Sequence, residues 1–105
     1  MTDGGMLGED QIARFQRDGF LVVENVLSRE QLATFGSAVD DAVSERAGAD
    51  TRALAEKSLY EQSFIQCINL WEDSLAVRRL TFDPRVGGMA AQLLDAEAVR
   101  LWHDQ

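Results

Sequence analysis

The stretch AVRLWHDQ, residues 98–105, decides the fold. Apolar and polar residues alternate through it, so an extended chain would put Val99, Leu101 and His103 on one face and Arg100, Trp102 and Asp104 on the other. Read this way it is a strand. A second strand-like run is Phe20–Val23, inside FLVVENVL, which is rich in β-branched residues and too short for a helix of its own. Two strands alone make a barely stable sheet, and an apolar edge without a partner invites aggregation. The expectation is an α+β fold: a mainly helical region over 9–98 containing strand 20–23, then a last strand over 99–105. That last strand would belong to a sheet whose other strands lie outside the chain.

Helices fill the space between. Residues 1–8, polar and glycine-rich, read as a disordered tail. EDQIARFQRD (9–18) starts on acids, carries Ile12 and Phe15 on one face, and meets a stop at Gly19. Ser28 stands three residues before Gln31, the spacing of a capping box, with Leu27 as a staple. The helix it opens has an apolar stripe of Leu32, Phe35, Val39 and Val43. Asp40, Asp41, Glu45 and Arg46 face solvent, and Gly48 ends the helix. AGADTRALAEKS (47–58) is a weaker connector. Phe64, Cys67, Ile68 and Trp71 recur at helical spacing, so YEQSFIQCINLWE (60–72) reads as one continuous helix. Ser74 caps a short helix with Leu75, Val77 and Leu80. Asp83–Pro84 starts a final one whose buried face is Val86, Met89, Ala90, Leu93 and Leu94.

Composition narrows the function classes. In 105 residues, 18 acids outnumber 10 Lys and Arg, for a net charge of −8. That balance opposes nucleic-acid binding, which needs a basic face, and a polybasic membrane helix. No run is long enough to span a bilayer. The single Cys67 has no internal disulfide partner, and the acidic start lacks the pattern of a secretory signal, which together point to the cytoplasm.

The candidate chemistry is sparse. His103–Asp104 is the most reactive-looking pair, yet neighbours on a strand point to opposite faces and do not converge on one metal. A facial triad needs a second histidine, and a hydrolytic triad needs a nucleophilic serine in a sharp elbow; the chain has neither. His103 is better placed as a polar residue lining a cavity. Cys67, between Phe64 and Trp71, reads as a small core residue. Gly87–Gly88 lies within a helix, where close packing explains it and a phosphate loop does not. Gln62, Gln66 and Asn69 sit along a mostly apolar face, their amides satisfied by backbone or turned to a ligand. Arg78–Arg79 is a solvated face or a carboxylate clamp. No complete catalytic or metal site is present.

Taken together, IARFQRDGFLVVENVLSREQL (12–32) and the long run YEQSFIQCINLWEDSLAVRRLTFDPRVGGMAAQLLDAEAVRLWHDQ (60–105) resemble the N-terminal region of the phytanoyl-CoA dioxygenase family. The resemblance covers the chain from about Glu9 onward. It implies a non-haem Fe(II), 2-oxoglutarate-dependent oxygenase on a double-stranded β-helix (jelly-roll) barrel, hydroxylating a small molecule. The family's His-x-Asp motif, later His and basic 2-oxoglutarate residue are absent here. His103–Asp104 lacks the intervening residue, so no metal role passes to it. The resemblance makes 99–105 the first barrel strand of a truncated chain, with His103 and Gln105 lining the co-substrate pocket. The isolated chain should then bind neither iron nor 2-oxoglutarate, and its unpaired last strand should favour self-association. Two other readings stay open: a non-enzymatic helical interaction module, and a remnant without function.

Overall fold

The computed structural model describes residues 6–105, so the part of the expected tail over 1–5 lies outside it. Six α-helices follow one another: α1 (Glu9–Asp18), α2 (Arg29–Ala49), α3 (Leu59–Ser63), α4 (Leu70–Asp73), α5 (Leu75–Thr81) and α6 (Pro84–Leu93), with a 3-10 turn at Leu54–Glu56. None is long and apolar enough to cross a membrane.

Among the described residues there is no strand, and so neither a sheet nor a barrel. This overturns the α+β expectation, both the strand at Phe20–Val23 and the barrel strand at Val99–Gln105. Alternation sets which way side chains point, but a strand also needs a second backbone to form a ladder. Neither segment has one. Both stay irregular, and the polar groups at the chain's end are used elsewhere, as described below.

The helix expected over 60–72 is also broken. Its N-terminal turn forms as α3, where Ser58 Oγ accepts from the Glu61 amide (3.2 Å) and Glu61 Oε1 accepts from the Ser58 amide (3.1 Å), a reciprocal capping box. Residues 64–69 then leave the helix, beginning with Phe64 at φ −134°, ψ 138°. They end at Asn69, whose φ of 58° lies in the left-handed region that Asn tolerates better than most residues. Helical periodicity reports a shared apolar face; here tertiary bonds to the backbone of 68–71 outcompete the i to i−4 ladder.

The chain divides into two compact units. The first comprises the N-terminal segment through Arg29 together with Phe82–Leu101. In it α1 packs on α6, with Leu7 and Met89 buried. The Gln92 side chain clasps the backbone of Leu7, accepting from its N–H at 2.9 Å and donating to its carbonyl at 3.4 Å. Gln16 Nε2 donates to the Leu93 carbonyl at 3.0 Å. Gly19 ends α1 as its spacing predicts, at φ 82°, donating its N–H to the Phe15 carbonyl. Asp83, buried, caps α6 by accepting from the Arg85 amide at 2.8 Å, and Pro84 takes the first helical position. The Arg85 guanidinium pairs with the same carboxylate and holds it below the usual carboxylate range. Of the face predicted for α6, Met89 is buried while Val86 and Leu94 are exposed. A Cβ on Gly87 would meet Val99 at an ordinary 4.0 Å and one on Gly88 would meet nothing, so close packing does not require these glycines.

The second unit comprises Glu30–Thr81 and Trp102–Gln105. Its core is Ala42, Leu70 and Val77, with Ala38, Val39, Val43 and Cys67 packed around them. This bears out the core reading of Cys67. The stripe on α2 is shifted from the expected one, since Leu32 is 57% exposed and Ala42 takes the central place. Ser74 joins α4 to α5: its N–H donates to the Leu70 carbonyl, and its Oγ accepts from the Val77 amide at 3.2 Å.

Candidate functional site

The residues that organise a site in the second unit come from four places: α2, the irregular segment 64–69, the α4–α5 pair, and the last four residues. Arg46, expected to face solvent, instead reaches from α2 to the segment 64–69 and to α4. Its Nη1 donates to the Ile68 carbonyl at 2.9 Å and its Nη2 pairs with Asp73 Oδ2 at 2.6 Å. Charge-assisted bonds of this kind are stronger than neutral ones and hold backbone that has left the helix.

Asp104 does the complementary work on the other side of Asn69. Its Oδ1 accepts from the Leu70 amide at 2.8 Å and its Oδ2 from the Trp71 amide at 3.1 Å. Thr81 Oγ1 donates to Oδ2 at 3.1 Å, and the Asp104 carbonyl accepts from the Asn69 amide at 3.0 Å. The first turn of α4 has no side-chain cap from its own N-cap residue, Asn69. The Asn69 side chain is engaged by Trp71 Nε1 at 3.3 Å. A carboxylate 34 residues further along the sequence supplies the missing acceptor. The terminal segment is thus anchored through backbone and side chain together, which is where its hydrogen bonds go in place of a sheet.

This anchoring closes one side of a hollow of about 470 Å³. Val39 and Val43 of α2, Tyr60, Phe64 and Ile65, Cys67, and Leu70, Val77 and Leu80 give it apolar walls. Its polar lining is Gln66, Thr81, Asp104 and Gln105, with no Lys or Arg. Tyr60 and Phe64 pack in a tilted pair, 5.1 Å between ring centroids and 38° between planes. Beside it, Arg52 donates to Asp50 Oδ1 and Oδ2 (both 3.0 Å) and to Glu61. Arg52 pulls both carboxyls down; Glu61, further stabilised by bonds from Ser58, falls from 4.5 to about 2.

The residues named from sequence are divided by this arrangement. Gln105 lines the hollow. His103 is exposed, lies outside its lining, and neighbours the Trp102 ring at 6.3 Å. Asp104, set on the opposite face from them by alternation, is the anchoring residue. No pattern near α4 signals a cap from so far along the chain. Among the described residues no three His, Cys, Asp or Glu side chains group as a metal would need.

No family model and no solved structure matches the chain. Over 100 residues, 91% of its length, it is 32% identical to the ectoine dioxygenase of Nocardia farcinica, covering 32% of that protein. Over 98 residues, 87% of its length, it is 33% identical to the ectoine dioxygenase of Bordetella parapertussis, covering 29% of that one. The chain therefore spans about a third of the length of the curated relatives it matches, and its similarity to ectoine dioxygenases runs through most of its own.

Proposed function

We propose that the chain is the N-terminal portion of a phytanoyl-CoA dioxygenase-like enzyme, an Fe(II)- and 2-oxoglutarate-dependent oxygenase that hydroxylates a small molecule. The observation that carries this reading is the similarity to two ectoine dioxygenases from different organisms over most of the chain. The substrate in their names is not carried over at this identity.

The residues present do not fit the iron itself. His103 is the one histidine and stands exposed, while the Asp104 carboxylate is engaged by two amides and a hydroxyl. Nor does the hollow fit 2-oxoglutarate, since no cation lines it to balance two carboxylates. Oxygen activation accordingly falls to residues outside these 105, and this chain alone is inactive. Its part is to shape a small-molecule site lined by Gln105, with His103 carried by the anchored segment toward the co-substrate pocket of the whole enzyme. The coding DNA beyond codon 105 tests the reading. The expected result is a continuing frame with a His-x-Asp motif, whose product consumes 2-oxoglutarate in an iron-dependent way. A natural stop at that codon, or a longer product without such turnover, would contradict it. In that product His103→Ala should raise KM for 2-oxoglutarate or substrate; unchanged kinetics would remove His103 from the pocket.

A second reading, an interaction module, is favoured by Ile65 and Trp102, exposed at 81% and 89%. Its signature is concentration-dependent association by sedimentation velocity that Ile65→Lys or Trp102→Lys abolishes, without iron-dependent turnover.

A further inference from the structure

The hollow of the second unit has the size of a small-molecule pocket, and the charge of its lining narrows what fits. Its walls are aliphatic and aromatic, and three of its polar groups are neighbours: Thr81 donates to Asp104, and Gln105 follows Asp104 in the chain. The Asp104 oxygens accept three hydrogen bonds, and a carboxylate offers roughly four lone-pair sites, so acceptor capacity remains. With no Lys or Arg in the lining, an anionic group placed there would face a carboxylate with nothing to balance it.

We propose that this hollow binds a small amphiphile whose apolar body lies against Val39, Val43, Phe64 and Leu80. Its head group is cationic or uncharged and donates hydrogen bonds toward Asp104 and Gln105. This deepens the oxygenase reading, and rests on it only in calling the occupant a substrate. The preference is for an apolar body with a donor head, and against carboxylates and compact polar solutes.

Cys67 makes the proposal measurable. It is the sole cysteine, it is half-buried, and it lines the hollow. An occupant should shield it from iodoacetamide, an uncharged thiol reagent. Alkylation of the 105-residue chain would be followed by mass spectrometry with decylammonium, decanol, decanoate or ectoine, each below its aggregation concentration. Decylammonium and decanol should each slow the reaction about tenfold at ten times their dissociation constant. Decanoate and ectoine should leave the rate unchanged. Val39→Trp, which fills the hollow, should abolish the decylammonium effect, and Glu45→Gln on the exposed face of α2 should retain it. Equal shielding by decanoate, shielding by ectoine alone, or no shielding by decylammonium and decanol would overturn the proposal. So would a decylammonium effect that survives Val39→Trp in a chain with wild-type helical circular dichroism. These rates read the hollow whether or not a longer product turns over 2-oxoglutarate, so failure of the oxygenase reading is seen separately.

Discussion

Asp104 shows how one side chain replaces a missing element of secondary structure. Its carboxylate satisfies two amides at the start of α4 and the Thr81 hydroxyl, while its carbonyl takes the Asn69 amide. Removing a capping carboxylate costs about 1–2 kcal/mol. Asp104→Ala should lower stability by that amount in chemical denaturation and speed hydrogen exchange at Leu70 and Trp71. Asp104→Asn, which keeps an acceptor, should recover part of both. An Ala variant as stable as wild type, with unchanged exchange, would remove Asp104 from this role. At this scale the sequence was partly legible. Asp83–Pro84 is a local cap, and local spacing is what sequence displays; Ser58, which caps α3 with Glu61, lay in a stretch read only as a weak connector. Asp104 is a cap between distant segments, and nothing in WHDQ or INLWE announces the pairing.

At the scale of elements, the boundaries set by Gly19 and Asp83–Pro84 survived. The stop expected at Gly48 did not, since α2 runs on to Ala49, and neither did the continuous helix set by periodicity over 60–72. Gly19 ends α1 at φ 82°, a conformation that costs a residue with a Cβ about 1–2 kcal/mol. Gly19→Ala should therefore destabilise by that amount, and an unchanged denaturation midpoint would contradict the assignment. The helix over 60–72 failed because its apolar spacing also suits a chain that turns one face to a core while Arg46 and Asp104 take over its backbone bonds. The strands at 20–23 and 99–105 failed because alternation is a property of one segment and pairing a property of two. The connector after α2 is ordered by the Asp50–Arg52–Glu61 cluster. Both carboxyls are depressed, so their contribution is complete above the ordinary value, 4.5 for Glu61, and fades as pH falls through about 2 for Glu61 and lower still for Asp50. Solvent screening keeps it small. Arg52→Ala should lower the melting temperature slightly at neutral pH and converge on wild type as pH falls toward 2, which flattens the acid limb. An acid limb identical to wild type would rule the cluster out.

For the whole molecule, the resemblance read from the sequence and the similarity to ectoine dioxygenases point the same way. Its side chains build an apolar hollow with a fixed terminal segment. Among the described residues no three His, Cys, Asp or Glu side chains group as a metal would need, and His103 lies outside the lining of the hollow. The hollow was not legible in the sequence, because its lining is gathered from segments whose path departs from the helix their spacing suggests. The claim that binding surface and iron chemistry are separated is tested most directly by anaerobic calorimetric titration of Fe(II), with and without 2-oxoglutarate, into the 105-residue chain. The account predicts no saturable heat under either condition. Stoichiometric binding that is lost in His103→Ala would contradict it.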